Sequence, residues 1–239
     1  MFGLGTIINV GAILLGGLFG ILFGKKLSDR FRNTLINAIG ISVMLLGIMG
    51  IISDMTKVND GLTGSGALML IVCLALGSLI GELINIEGGV EKFGNYLKRK
   101  SKSENDGSFT DAFITASFTV CVGAMAIVGA IEDGISGDFS TLLAKSILDV
   151  VSITILTSTK GKGAIFSIIP VIILQGSITV IFHFVGNTIP TAIINNISYV
   201  GSALIFAVGL NLIRDKKIRI ANMLPSLILA VIWALIIPA

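Results

Sequence analysis

Three polar residues interrupt one apolar run of the chain and share one face of the helix that this run predicts. Lys145 and Asp149 are four residues apart, and Ser152 follows three residues after Asp149. An ionisable side chain at bilayer depth costs at least ~2.5–3.5 kcal/mol and normally faces protein or a water-filled cavity. This face therefore suits an ion or solute path in which Asp149 can carry a proton. The alternative is a buried ion pair that only fixes helix packing.

A second polar position lies in a later apolar run, where Gln175 follows Pro170 by five residues. Proline removes a backbone donor and can leave a carbonyl unpaired inside a membrane. A helix broken at this point would suit a solute or ion site beside Gln175. The alternative is a mild kink with an interhelical amide hydrogen bond. Other polar residues within or near the apolar runs are Asn9, Asn37, Glu82, Asn85, Asn211 and Asn222.

Carboxylates also occur where two apolar runs meet, in the short turn that holds Glu132, Asp133 and Asp138. This turn could attract cations to the mouth of a path, or it could be an ordinary solvated turn rich in Gly and Asp. Glu82, near the end of its own apolar run, either pairs with cations of the following loop or belongs to the path. These residues complete the set of candidates for a substrate or ion path.

The composition places the chain among membrane proteins, since 54% of its residues are hydrophobic and 13% are charged, with a mean hydropathy of +0.97. Soluble domains average about 25% charged residues. Common hydrolase, phosphate-loop and dinucleotide motifs are absent from the sequence, and we expect no enzyme and no cofactor. With one histidine, His183, and two unpaired cysteines, Cys73 and Cys121, we expect no disulfide framework and no multi-histidine metal site. Neither does the sequence suggest nucleic-acid binding.

Apolar runs of about 20 residues are long enough to cross a bilayer as helices. They predict an all-α integral membrane bundle with eight segments, at roughly 4–24, 34–53, 66–86, 112–132, 139–159, 163–184, 197–213 and 220–237. The segment at 139–159 is the weakest because it contains Lys145 and Asp149. It could therefore form a re-entrant pair with 112–132 instead of a full span.

The predicted bundle is a single membrane domain over residues 1–239, with a polar cytoplasmic linker at 97–110 between the first three helices, 1–96, and the last five, 111–239. Small residues recur four apart at Ala12, Gly16, Gly20 and Gly24, which lets another helix approach closely. We expect this contact within the chain, although a homo-oligomer is also open. Cys73 and Gly81 match Cys121 and Gly129 in spacing, as in a weak inverted repeat, and the alternative is a chance match in a sequence rich in Gly, Ile and Leu.

Positive charge is concentrated in alternate loops. The loops after the first, third, fifth and seventh predicted helices hold fifteen of the 17 lysines and arginines. The two exceptions are Lys57 and Lys145. By the positive-inside rule, these loops face the cytoplasm and both termini face outward. The lipid bilayer is therefore the main partner that we expect.

Several stretches of the chain carry distinctive motifs, namely GTIINVGAILLGGLFG near the start, GSLIGELINIEGGVEKFG, CVGAMAIVGAIEDGISGD with KSILDVVSITILTSTKGKG, and QGSIT. Together they resemble a known prokaryotic family, the YqgA/YdfK membrane proteins. The resemblance covers essentially the whole chain and implies a multi-span protein of the bacterial plasma (inner) membrane, of unknown function. No functional residue carries over from it. The residues themselves predict a transporter or channel for an ion or small polar solute, and the alternative is a scaffold or accessory subunit that moves nothing.

Overall fold

The computed structural model describes residues 2–24, 28–58, 65–103, 107–121, 124–185, 190–214 and 218–236. Within these ranges the chain forms ten α-helices and no strand, which confirms the predicted all-α class. Short 3₁₀ turns at Lys162–Ser167 and Ile220–Met223 precede the eighth and tenth helices. The helices are α1 (Leu4–Gly24), α2 (Asp29–Met55), α3 (Ser65–Ile84), α4 (Ile86–Lys100), α5 (Phe109–Cys121), α6 (Ala124–Ser136), α7 (Ser140–Lys160), α8 (Ile168–Val185), α9 (Thr191–Ile213) and α10 (Pro225–Ile236).

Six helical segments in the described ranges are long and apolar enough to cross a membrane, and α5 with α6 makes a seventh if this bent pair is one span. The last apolar segment, Ile220–Ile236, is shorter. The membrane bundle is thus confirmed, whereas the count of eight spans stays a prediction. Residues 139–159, the weakest predicted segment, correspond to the unbroken helix α7. The break falls in the preceding segment, where the axes of α5 and α6 differ by 56°.

Glycines let α1 and α7 lie side by side in the same direction. Gly5 is next to Leu142, Gly16 is next to the backbone of Val150, and Gly20 is next to the carbonyl of Thr154. The contacts advance along both helices together, so the two helices are parallel. The small-residue spacing predicted from the sequence therefore serves packing within the chain.

Helices α2 and α9 form a second close pair, but they run in opposite directions. Gly40 is next to Gly209 and Ile213, whereas Gly50, further along α2, is next to Ser202, earlier in α9. Helix α3 packs on α10 in a similar way, through Gly77. The central apolar core draws on α1, α7, α8 and α9 and includes Ile13, Ile153, Leu156, Val171 and Leu204.

The first prediction concerns this seam between α1 and α7. A methyl group at position 16 would collide with the carbonyl oxygen and Cα of Val150, which cannot move without shifting α7. We expect Gly16→Ala to destabilise the protein by about 1–3 kcal/mol through overpacking. Thermal unfolding of the purified protein in detergent measures the effect.

Gly11 provides the matched control, since it is in the same helix and nothing lies within 4 Å of an added methyl group there. Gly11→Ala should leave stability unchanged or raise it by up to about 1 kcal/mol, the helix-propensity gain. Equal unfolding temperatures for the two variants would contradict the close α1–α7 contact.

Basic residues gather at one end of the bundle, which we call the basic end and define by Lys98, Lys160, Arg214 and Arg219. Lys160 forms an ion pair with Asp111, and Asp111 lines the same cleft as Lys98 and Arg219. Lys160 and Arg214 line a neighbouring cleft. These residues come from three of the four loops, or their borders, in which the sequence places most positive charge.

Helix α4 is a finding that the sequence analysis did not predict. Its charged residues make it too polar to cross a membrane, so a search for long apolar runs passes over it, and the predicted linker at 97–110 overlaps its last turn. Gly94 packs against Thr110 and Phe113 of α5, while Phe93 and Tyr96 are exposed. Its remaining face lines the cleft at the basic end with Glu87, Glu91, Asn95 and Lys98.

Candidate functional site

Lys145 and Asp149 form an ion pair on α7, with Lys145 Nζ donating to Asp149 Oδ2. The two residues are only 6% and 5% exposed, so the pair faces the protein interior and not the lipid. Asp149 lies nine residues after Ser140 and eleven before Lys160, or about 14 and 17 Å along the helix axis at 1.5 Å per residue. The charges are therefore close to the middle of the bundle.

Two amides from neighbouring helices join the pair. Asn9 of α1 donates from Nδ2 to Gln175 Oε1 of α8 at 3.2 Å, and both residues are 0% exposed. The Asn9 side chain is also a hydrogen-bonding neighbour of the Asp149 carboxylate. We call Asn9, Lys145, Asp149 and Gln175 the central cluster.

Two polar atoms of the central cluster have no hydrogen-bond partner among the described residues. They are Asn9 Oδ1, an acceptor, and Gln175 Nε2, a donor. Buried polar atoms are normally paired, so an orphaned pair beside two buried charges is a feature expected of a ligand site. The sequence analysis identified all four residues as polar positions in apolar runs, but it did not place Asn9 against Gln175 and Asp149.

The interrupted segment of α5 and α6 meets the central cluster. Cys121, the last residue of α5, is 6% exposed and lies within electrostatic range of both Lys145 and Asp149. Asp111 near the start of α5 contacts Lys160 at the end of α7, whereas Asp133 near the end of α6 contacts the start of α1. Because α1 and α7 are parallel, the broken segment runs from one end of the bundle to the other. Transporters commonly place their sites beside such interrupted helices.

Two details of the predicted site differ in the structure. Ser152 is half-buried and takes no part in the hydrogen bonds of the central cluster. Pro170 lies in the first turn of α8, directly after the 3₁₀ turn. A proline there interrupts no helical hydrogen bond, because the first turn has none to lose. Gln175 therefore acts through its amide, as in the alternative interpretation, and not through a broken helix at Pro170.

The structure places Glu132 and Asp133 of the predicted acidic turn in the last turns of α6, and each carboxylate of the predicted turn has a partner. Asp133 is fully buried and accepts hydrogen bonds from the backbone N–H groups of Gly3 and Gly5, at 3.1 and 3.0 Å. It thereby caps the positive end of α1. Glu132 accepts from the Thr141 hydroxyl at 2.7 Å, and the Ser140 N–H lowers the pKa of the exposed Asp138. These contacts favour a structural role for the three carboxylates over a role in attracting cations to the mouth of a path.

Glu82 also pairs with a loop cation, as one of its two interpretations predicted. Its carboxylate accepts hydrogen bonds from Arg219 and from Asn222, both at 2.5 Å. Asn222 in turn accepts from the Glu87 N–H at 2.7 Å, and Glu87 accepts from the Ala221 N–H at 2.9 Å. This network ties α3 and α4 to the 3₁₀ turn before α10. Glu82 lies at the basic end, away from the central cluster.

A polar cleft of about 570 Å³ opens at the basic end, between α4, α5 and α9. Burial raises the pKa of the Glu87 carboxyl above its usual value, and the Ala221 N–H opposes that rise. The polar residues that line the cleft include Glu87, Glu91, Asn95, Lys98, Thr110, Asp111, Thr115, Asn211 and Arg219. Both charge signs are present, so the cleft suits water and small polar solutes.

Phe118 closes the deep side of this cleft. It follows Thr110, Asp111, Ile114 and Thr115 along the face of α5 that lines the cleft, and it is 8% exposed. The same ring lines an apolar cavity of about 360 Å³ that also includes Cys121. One helical turn on α5 therefore separates the polar cleft from the thiol beside the central cluster.

Comparison with known proteins gives one family and two full-length relatives. The model of the family described as “Protein of unknown function (DUF554)” matches residues 4–235. The chain is 31% identical over 235 residues to “Uncharacterized membrane protein YdfK” of Bacillus subtilis (strain 168), covering 98% of this chain and 97% of the relative. It is 28% identical over 231 residues to “Uncharacterized protein YqgA” of Escherichia coli (strain K12), covering 95% and 94%. No solved structure matches.

Proposed function

Because this chain belongs to the family described as “Protein of unknown function (DUF554)”, we propose its function from its own buried residues: it is a membrane transporter for a small polar solute or ion. The observation that carries this proposal is the ion pair of Lys145 and Asp149, about nine-tenths buried near mid-depth beside two unpaired amide atoms. Ionisable groups inside a membrane protein commonly mark a substrate or ion pathway.

A purely structural role explains the pair poorly. Removing two charges from water costs several kcal/mol per ion. Lys145 and Asp149 are four apart on α7, so their bond joins two turns of one helix and does not hold α7 against a neighbour. Contacts between helices include those at glycines, the apolar core, the Asn9–Gln175 amide bond and the approach of Asn9 to Asp149, and none of them needs the bond between Lys145 and Asp149. A buried ion pair that costs desolvation free energy and adds little to helix packing is expected at a site where a substrate exchanges with its partners.

A carrier fits the burial of the central cluster better than an open channel. All four residues are between 0% and 6% exposed, so a solute reaches them only after the protein opens. The route that we propose starts in the polar cleft at the basic end, passes Phe118, and reaches Cys121 and the ion pair. Opposite the basic end, the path is closed near Gly5, where Leu142 and Asp133 pack.

We propose that the protein lies in a bacterial plasma membrane and that its basic end faces the cytoplasm. Lysines and arginines near membrane segments are retained on the cytoplasmic side. Both termini would then face outward, and the polar cleft would open inward.

Flux in sealed liposomes tests the proposal. We expect purified protein to release or take up at least one small polar solute or ion along an imposed gradient, followed by pH- and cation-sensitive dyes and labelled solutes. Asp149→Asn should abolish this flux because the central cluster loses its carboxylate. Ser177→Ala, at an exposed position on the neighbouring helix α8, serves as the control and should transport normally.

The scaffold or accessory-subunit alternative makes the opposite prediction. Flat responses across protons, sodium, potassium, divalent cations and organic solutes would favour it. Flux that is the same in wild type, Asp149→Asn and Lys145→Met would retain transport but reject the central cluster as its site.

A further inference from the structure

Resting on the proposed function, we infer that the substrate of the central cluster is a small zwitterion, a molecule that carries one ammonium-type and one carboxylate-type group, as a free amino acid does. The inference comes from the charge balance of the cluster and from its two unpaired amide atoms. Zwitterions are a narrower substrate class than the small polar solutes and ions of the proposed function.

The central cluster holds one positive and one negative group, Lys145 and Asp149, and both are buried. A lone cation bound to Asp149 would displace Lys145 and leave its charge unpaired in a low-dielectric interior. A lone anion on Lys145 would strand Asp149 in the same way. Unpaired buried charges are strongly unfavourable, so a substrate that opens this pair must carry no net charge into the site.

Two kinds of substrate meet that condition. A zwitterion places its ammonium group on Asp149 and its carboxylate on Lys145, so that each buried charge exchanges one partner for another. An anion with a proton also balances, if the proton neutralises Asp149 while the anion binds Lys145. An uncharged solute would leave the ion pair intact and make no use of it.

The amide atoms favour the zwitterion. Asn9, whose side chain neighbours Asp149, carries an unpaired acceptor, Oδ1, to which an ammonium group has hydrogens to donate. Gln175 Nε2 is an unpaired donor, which suits a carboxylate oxygen. With the oxygen and nitrogen of both amides exchanged, the unpaired donor lies on Asn9 and the unpaired acceptor on Gln175, so the cluster still offers one of each. A protonated Asp149 has one hydrogen to donate to the unpaired acceptor, whereas an ammonium group has three and can bond to that acceptor and to the Asp149 carboxylate together.

The spacing of the cluster limits the size of the zwitterion. Residues four apart on a helix have Cβ atoms about 5–6 Å apart. Groups separated by one to three carbon atoms, as in α-, β- and γ-amino acids, can reach both charges from one position.

Counterflow in liposomes that contain the full-length protein tests the inference. One set is loaded with a mixture of the twenty protein amino acids, β-alanine, γ-aminobutyrate and glycine betaine, a second with monocarboxylates, and a third with monoamines. Each receives the matching labelled compounds outside. We expect exchange with at least one zwitterion, with competition at least about 100-fold weaker from its N-acetyl and its amide derivatives, because each leaves buried polar groups unpaired.

The outcomes separate the inference from the function on which it rests. Exchange of monocarboxylates with proton uptake, or flux of monoamines or inorganic cations without any zwitterion exchange, would overturn the zwitterion assignment and keep the transporter. Equal competition by the N-acetyl and amide derivatives would also overturn it. No exchange in any set, together with no ion flux, would reject the transporter and the inference at once. Zwitterion exchange that is lost in the double variant Lys145→Met with Asp149→Leu would support both.

Discussion

Replacing Lys145 and Asp149 together by Met and Leu is expected to abolish transport while the protein stays folded. The pair is buried, and its partners bond along one helix. Apolar side chains of similar size commonly replace such pairs without loss of stability, and a gain of about 1–4 kcal/mol has been found where packing is good. Removing both charges therefore removes the proposed chemistry without removing what holds the helices.

Single substitutions should behave differently from the double variant. Asp149→Asn leaves the Lys145 charge buried without its anion, and Lys145→Met leaves Asp149 without its cation. Breaking one partner of a buried pair typically costs about 3–5 kcal/mol. We expect both single variants to unfold at lower temperature than the double variant, although all three lose transport. Thermal unfolding in detergent and flux in liposomes measure the two effects separately.

Reversing the pair provides the matched control. The variant Lys145→Asp with Asp149→Lys keeps two opposite charges four residues apart, so it should remain folded. Asn9 then neighbours a lysine in place of the Asp149 carboxylate. We expect transport to fall at least about tenfold, which corresponds to a loss of about 1.4 kcal/mol of substrate binding free energy. Normal flux through the reversed or the double variant would mean that the pair is structural. Unfolding of the double variant alone would point to the same conclusion.

The fold could be predicted from the sequence wherever the local pattern of apolar residues determines a helix. Each long apolar run became helical, and α1 begins and ends where its run does, at Leu4 and Gly24. Helix α9 is longer than its predicted segment because Asn195 and Asn196 lie in its first turns, where amides lower the apolar signal without preventing a helix. Helix α4 was missed because an amphipathic helix at the end of a bundle needs only one apolar stripe.

Contacts between distant residues explain what the sequence could not give for the site. Lys145 and Asp149 are neighbours on one helix, so their pairing follows from spacing alone. Asn9 and Gln175 are 166 residues apart, and no local pattern brings them together. For Asp133 the sequence left a cation-attracting mouth and a solvated turn open, but the residue is a buried cap for α1, because its partners Gly3 and Gly5 are about 130 residues away along the chain. The roles of Cys121 and Phe118 depend on cavities, which only the packed structure defines.

The second prediction concerns the Phe118 ring, which lies between the polar cleft and Cys121 and which we call the gate. The rate at which the Cys121 thiol is labelled measures how often this gate opens. With Cys73 replaced by Ser, Cys121 is the single remaining thiol. Phe118→Ala removes the ring that separates the polar cleft from the cavity at Cys121. A small, charged, membrane-impermeant thiol reagent should then label Cys121 about tenfold faster or more, since lowering the cost of opening by 1.4 kcal/mol gives that factor.

Two further variants make the measurement specific. Phe118→Leu retains most of the apolar volume and should give an intermediate labelling rate. It should also destabilise the protein by less than the ~3–5 kcal/mol that truncating a buried Phe to Ala can cost. Phe184→Ala removes an exposed ring, 81% accessible, near the end of α8, and should leave the rate unchanged. If Phe118→Ala unfolds the protein, the Leu variant still reports on the gate.

The side from which the reagent acts completes the test. If the basic end is cytoplasmic, the faster labelling should appear in inside-out vesicles and be absent from right-side-out ones. Faster labelling from the other side would place the basic end outside and reverse the proposed topology. Equal rates for wild type, Phe118→Leu and Phe118→Ala on both sides would mean that the cleft does not lead to the central cluster. A substrate that slows the labelling of Cys121 from the cleft would connect this gate to the ion pair, because the thiol lies within electrostatic range of Lys145 and Asp149.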